Sequence, residues 1–327
     1  MNNKKISVVI PCYKVKNKIL DVVEKVPLYV DKIFIIDDCC PEHTGDFVNK
    51  NCTDKRVSVI YHEKNLGVGG AVISGYKAAI KDDYDIIVKI DGDDQMEPSL
   101  ISKFIYPLIK GQADYTKGNR FWNIEDVRNM PKIRVFGNAV LSFMNKMSSG
   151  YWHVFDPTNG YTAITSTVAA QLPFDKISKR YFFESDILFR LNVLRAVVVD
   201  VPMVAKYADE VSNLSIRKIL FEFLAKHCAN AIKRIFYSYF LRDFSIASIQ
   251  LIFSIILISF GLIFGLSNWD DETLASSGTV MLAAMPTFLG IVFMMAFVNY
   301  DILSEPKKPL SESLENIKYF EDRLQEE

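Results

Sequence analysis

Residues 85–95 read Asp-Ile-Ile-Val-Lys-Ile-Asp-Gly-Asp-Asp-Gln (DIIVKIDGDDQ). The first six form an apolar run of strand length, and the last five place hard oxygen ligands at its end. Asp91 and Asp93 stand at i and i+2, and the amide oxygen of Gln95 follows two residues later. Mg²⁺ and Mn²⁺ prefer such ligands and usually share them with substrate phosphates. Gly92 lets the backbone turn sharply after the strand. Taken alone, the segment is as well explained as a solvated acidic turn, so its surroundings have to decide.

Three strands of the same kind precede it: ISVVIP at 6–11, KIFIIDD at 32–38 and RVSVIY at 56–61. Helical stretches at 17–26 and 68–81 lie between them. Continuous apolar strands alternating with helices predict an α/β fold, a doubly wound and mostly parallel sheet covered on both faces. Ligands bind such sheets at the carboxyl ends of the strands. Asp37, Asp38, Asp91 and the turn after Pro11 all fall at that edge. The Asp37–Asp38 pair could accept bonds from a base or ribose, or could cap the next helix. NLGVGG at 65–70 begins a helix but follows the third strand and lacks G-x-G-x-x-G spacing. Close approach of the Gly67 backbone to a nucleotide-sugar is therefore expected rather than dinucleotide binding.

The stretch from 116 to 212 is less regular. DPTNG at 156–160 is rich in turn residues. A helix is predicted over 181–195, and 197–201 reads as a last strand stopped by Pro202. Glu184 and Asp186 at the helix start are either dipole-favoured carboxylates or active-site groups. His43, His62, His153 and His227 form no spaced cluster, and the five cysteines contain no C-x-x-C pair. Free thiols in a reducing compartment are expected, with no zinc site.

Residues 244–268 and 273–300 carry no charged side chain. Each is long enough for a helix to cross the ~30 Å hydrocarbon core, which takes about 20 apolar residues. The mean hydropathy of +0.11 fits a globular part joined to two such spans. Before them, residues 215–242 hold Arg217, Lys218, Lys226, Lys233, Arg234 and Arg242 against one acid, Glu222. That pattern suits a helix on a lipid surface. Basic residues flank the outer ends of the spans, while Asp270, Asp271 and Glu272 lie between them. The positive-inside rule then places both termini in the cytoplasm. The N-terminus, Met1 to Lys5, leads straight into a strand with no secretory leader. The expected organisation is a cytosolic catalytic domain over 1–213, basic juxtamembrane helices over 214–243, spans near 244–267 and 278–300, and a charged, partly flexible cytosolic tail over 301–327. A net charge of −1 gives no global attraction to nucleic acid. Self-association through the spans and surface helix is compatible with the pattern.

SVVIPCYK at 7–14, IIDDCCPEHT at 35–44, NLGVGGAVISGY at 65–76 and KIDGDDQMEP at 89–98 together resemble family 2 glycosyltransferases of the GT-A fold. KGNRF at 117–121 and DPTNGYTAI at 156–164 look like the polyprenyl-phosphate glycosyltransferase group, and the resemblance runs from about Ile6 to Tyr207. It implies a GT-A sheet and transfer of one sugar, with inversion, from a nucleotide-sugar to a polyprenyl phosphate at the cytoplasmic membrane. By family analogy the donor is a UDP-sugar. The resemblance implies that Pro11, Tyr13, Asp37 and Asp38 line the nucleoside pocket. Asp91, Asp93 and Gln95 would hold Mg²⁺ or Mn²⁺ on the donor diphosphate, and Arg120 and Arg134 would grip the acceptor phosphate. The chain departs from the family after Asp38, where Cys39-Cys40-Pro41-Glu42 replaces the usual Gly-Ser followed by Asp. Two other readings stay open. One is transfer to a hydroxyl, with Asp186 or Glu184 as base. The other is a membrane subunit that binds nucleotide-sugar without turnover.

Overall fold

Four near-continuous apolar strands, β1 (Ile6–Cys12), β2 (Lys32–Asp37), β3 (Val57–Tyr61) and β4 (Ile86–Lys89), pair in parallel. With β5 (Tyr115–Asn119), β6 (Thr162–Thr165) and β7 (Val198–Pro202) they make one sheet in the order β3-β2-β1-β4-β6-β5-β7. β6 runs antiparallel to β4 and β5, whereas β5 and β7 are parallel. The doubly wound, mostly parallel GT-A-type sheet expected from the sequence is therefore the architecture found. The computed structural model describes residues 4–123, 128, 132–204, 216–269 and 274–317.

The pleat sorts each strand's residues to two cores. Val8, Ile10, Ile33, Ile35, Ile86 and Val88 pack on one face with Phe104 and Leu108 of helix α4 (Ile101–Ile109). Val9, Phe34, Ile36 and Ile87 pack on the other with helix α3 (Val68–Lys81) and with α7 (Phe183–Leu194). Three shorter or later helices complete this part in chain order: α1 (Ile19–Glu24), α2 (Thr44–Asn51) and α5 (Lys132–Ser149), with one turn of helix, α6 (Ser166–Ala169), after β6. α3 approaches β1 closely at Gly75, where an added Cβ would lie 2.2 Å from Val9 Cγ1. Gly75→Ala is expected to lower stability by about 1–3 kcal/mol through overpacking, read as a shift in the denaturant midpoint.

One local expectation changes. Pro202 belongs to β7 rather than stopping it, paired with Asn119. β7 is the edge of the sheet, where a residue without an N–H loses no ladder bond on its open side. The tail is not loose throughout. A helix opens at 310, and both carboxylate oxygens of buried Asp114 accept its first amides, from Leu310 and Ser311 at 2.8 Å. Leu310 and Leu314 pack on the second core, and Lys4 pairs with Glu315 at 2.7 Å.

Accordingly the chain divides into one compact unit of Met1–Asn230 with Pro306–Glu327, and another of Ala231–Glu305. Helix α8 (Ile216–Phe236) leads from the first into the second. Within the first unit, His227 Nδ1 meets Ser148 Oγ at 2.7 Å and Asn230 donates to Asp186 at 2.9 Å. Burial pushes His227 down to about 4.

The second unit holds a π-helical turn at Tyr237–Arg242, then α9 (Ile246–Ser267) and α10 (Ser277–Leu303). By length and composition both helices can cross a membrane. At 22 residues α9 spans roughly 33 Å. Glycines let the pair approach: a Cβ on Gly261 would lie 2.2 Å from Thr287 Oγ1, and one on Gly290 2.6 Å from Ile258 Cγ1. Only 17% of the apolar window of α9 and 11% of that of α10 is buried, which is not how a soluble core helix behaves.

Candidate active site

β4 ends at Lys89, so Asp91 lies two residues past the strand and the acidic turn projects from a buried, fixed base. Asp93 Oδ1 accepts the Gln95 amide at 3.1 Å, which shapes the turn. Asp94 turns away in a left-handed conformation, φ 58°, and pairs with Lys25 at 2.7 Å. Among the described residues no three His, Cys, Asp or Glu side chains come together as a metal set. The candidate set here has two carboxylates, and its third oxygen is the Gln95 amide. Its chemistry suits a hard divalent cation. Asp91 already holds a cation: Lys89 Nζ lies 2.7 Å from its Oδ1.

Lys89 and Lys117 were not singled out from the sequence, although each is a charge inside a strand. Both are fully buried. Burial works against the Lys89 ammonium, but Asp91 and Glu184 outweigh it and leave its pKa raised. Lys117 Nζ donates to the Asn159 carbonyl. Glu184, at the start of α7, lies 3.6 Å from Lys89, and burial raises its carboxyl against the pull of Lys89 and Lys117.

Segment 156–160 joins these groups. Asp156 grips Arg120 with two bonds, Nε to Oδ2 at 2.7 Å and Nη2 to Oδ1 at 2.9 Å. The Asn159 carbonyl holds Lys117, and Gly160 packs on the Lys89–Asp91 pair. Arg120, Lys117, Lys89, Asp91 and Glu184 thus form one connected polar cluster at the carboxyl ends of β4 and β5. Arg134 lies in α5, and its side chain falls outside the described residues.

Burial drives Lys117 down to about 8 from the usual lysine value of 10.5, against the attraction of Glu184 and Asp156. Between pH 8 and 10.5 the unfolded chain therefore binds more protons, and stability rises with pH across that window. Activity that needs the ammonium moves the other way. Turnover is expected to fall above about pH 8, and Lys117→Arg, which stays charged, should push that limb to higher pH. A pH–rate profile checks both.

The second polar edge lies at β2. Asp37 Oδ1 accepts the Cys40 amide at 2.7 Å, and Oδ2 the Gly45 amide at 2.6 Å in the first turn of α2. Asp38 accepts Leu66 and Gly67 amides at 2.8 Å each and meets His62 Nδ1 at 2.7 Å. Both carboxylates are spent largely on the chain itself, with Asp37 in the capping role. Pro11 is half-buried at the end of β1, and Tyr13 is exposed just beyond it. The glycines at 67–70 also serve packing. At Gly67, φ 85°, a Cβ would meet the Lys179 carbonyl at 2.6 Å, and at Gly69 one would meet Phe183 at 2.7 Å. Gly67 thus approaches the chain's own 178–183 segment. Asp186 holds that segment from below, accepting Ser178 N at 2.8 Å and Asn230 Nδ2 at 2.9 Å.

The profile of glycosyl transferase family 2 matches residues 7–172. The chain is 31% identical to the UDP-N-acetylglucosamine–dolichyl-phosphate N-acetylglucosaminyltransferase of Methanococcus voltae, over 64% of this chain and 88% of that one. It is 28% identical to the undecaprenyl-phosphate mannosyltransferase of Micrococcus luteus, over 52% and 70%. Its fold is similar to that of Mycobacterium tuberculosis glucosyl-3-phosphoglycerate synthase, solved with Mn²⁺, UDP and phosphoglyceric acid. That match has a TM-score of 0.53 and 18% identity, over 71% of this chain and 78% of that one.

Proposed function

The chain belongs to glycosyl transferase family 2, and from that membership we propose that it moves one sugar from a nucleotide-sugar to the phosphate of a polyprenyl phosphate at a membrane surface. One observation supports this acceptor most. A cation-rich, acid-tipped sheet edge is joined in one chain to two apolar helices whose surfaces the protein leaves uncovered. A water-soluble acceptor would not need the second feature.

Asp91, Asp93 and Gln95 are the residues that would hold Mg²⁺ or Mn²⁺, which when bound would offset the charge of the donor diphosphate. Lys117 and Arg120 supply fixed positive charge beside it, where the leaving nucleoside diphosphate gathers negative charge. An acceptor phosphate is anionic at neutral pH and needs positioning more than a general base. Arg120 offers a planar fork, oriented by Asp156, and Arg134 would add a second. The proposed step is a single displacement: the phosphate oxygen attacks the anomeric carbon, and the bond to the nucleoside diphosphate breaks with inversion. Pro11 and Tyr13 would flank the base, with Asp37 and Asp38 ordering the loops around it. A UDP-linked donor is the working choice.

The same pairing supports a cytoplasmic-face, two-span topology. The chain leaves the first unit after Asn230 and rejoins it at Pro306. Helix α8 exposes Phe221 and Leu224 beside Lys226, as a lipid-surface helix would. If instead a hydroxyl is the acceptor, Glu184 is better placed than Asp186 to act as base, because both Asp186 oxygens already accept bonds.

The test is transfer of radiolabelled sugar to undecaprenyl phosphate by membranes containing the protein. UDP-glucose, UDP-galactose, UDP-N-acetylhexosamines and GDP-mannose are each supplied with Mn²⁺, Mg²⁺ or EDTA. One donor should yield an EDTA-sensitive, lipid-linked product. Label appearing only in a glycan or as free sugar sinks the lipid-phosphate reading.

A further inference from the structure

Lys89 has two carboxylate partners at unequal distances, Asp91 Oδ1 at 2.7 Å and Glu184 Oε1 at 3.6 Å, with its side chain 2% exposed. Its ammonium lies away from bulk water, so these carboxylates carry most of its charge balance. Gly160 closes the pair from the side: a Cβ there would lie 2.3 Å from Lys89 Nζ and 2.5 Å from Asp91 Oδ2.

We propose that Lys89 is a movable counter-ion, competing with a divalent cation for Asp91, and that Glu184 is the carboxylate that takes up its ammonium when the cation binds. This rests on Asp91 being a metal ligand, as proposed above. A divalent ion bonds a carboxylate oxygen at about 2.1 Å. Beside an ammonium 2.7 Å from the same carboxylate, it would face strong repulsion in a partly buried site. Rotation about the terminal torsions of the lysine moves that charge toward Glu184 while the β4 backbone stays in place. Lys117, on the Asn159 carbonyl, attracts Glu184 as well, against the burial that raises its carboxyl. The ammonium stays within the cluster and only changes partner, so the cluster gains just the charge of the cation that takes the vacated carboxylate. Glu184 is thus a positioning residue acting through Lys89.

The test reads Mn²⁺ affinity directly, by electron paramagnetic resonance on the full chain in nanodiscs, without donor or lipid acceptor. Lys89→Met should bind Mn²⁺ about tenfold tighter, since the competing charge is gone. Glu184→Gln should bind about tenfold weaker. In the Lys89→Met background, Glu184→Gln should change affinity by no more than about threefold, because Glu184 then has no ammonium to receive. The double variant removes both members of a buried pair and replaces them with side chains of similar volume, so it keeps the test decisive even if Glu184→Gln alone folds poorly. Unchanged or weaker Mn²⁺ binding by Lys89→Met overturns the proposal. So does an equal loss from Glu184→Gln in both backgrounds, and so does a wild type that binds no Mn²⁺. A wild type that follows the expected pattern yet makes no lipid-linked sugar sinks the acceptor reading alone.

Discussion

Asp93→Ala is expected to lower turnover by about a thousandfold or more, with little change in the thermal midpoint. The effect is large because the proposed step depends on neutralising a diphosphate as it leaves, and loss of a single preorganised electrostatic contact costs about 10²–10³ in rate. If Asp93 holds the cation as proposed, its loss would also remove the charge the cation would supply to the donor diphosphate. Asp93 sits in a turn outside the core, its Oδ1 accepting the Gln95 backbone amide, so its loss is local to the turn. Asp94→Ala is the matched comparison. Asp94 is the neighbouring acid, but its carboxylate faces Lys25 at the surface. That variant should stay within a fewfold of wild type. Equal damage from the two would remove the assignment of Asp93 to the site. Mn²⁺ binding by the same variants separates loss of the cation from loss of the donor.

Asp301→Ala should destabilise the second unit by about 3–5 kcal/mol. Asp301 is buried near the end of α10 and accepts two bonds from Arg234, at 2.6 and 3.0 Å, and one from Tyr239 Oη at 2.6 Å. Arg234 is buried on α8. Removing the carboxylate strands a buried guanidinium, which costs more than the pair itself contributes. Arg234→Met combined with Asp301→Leu should recover most of the loss, because neither charge then remains uncompensated. Thermal unfolding in nanodiscs measures both. A single variant that unfolds like wild type would show that water or lipid headgroups reach the arginine.

The sheet was legible because its strands are short, apolar and separated by helical periodicity. β5 and β6 were not: Tyr115–Asn119 is mostly polar, Thr162–Thr165 is four residues with no pattern of its own, and both are held in place by neighbouring strands. The site was legible as a set of types. Acids at strand ends and a glycine-rich loop stand out in one dimension because backbone chemistry demands them locally. Lys89 and Lys117 could have been noticed as charges inside apolar strands, but their partners are distant in sequence. Glu184 is 95 residues beyond Lys89, and Asn159 is 42 beyond Lys117. Asp186 and the glycines at 67 and 69 show the reverse. Their residue types suggested ligand contact, while the fold turns them on the 178–183 segment.

The sequence by itself determined the fold class, the acidic edge and the two long apolar helices, because each follows from local periodicity or composition, and the family resemblance, which its motifs carry. Tertiary structure alone decided which charges neutralise one another. It paired Lys89 with Asp91 and Glu184, Arg120 with Asp156, and Arg234 with Asp301. It also returned the tail to Asp114. A buried charge must find its partner in space, and chain order does not constrain where that partner lies.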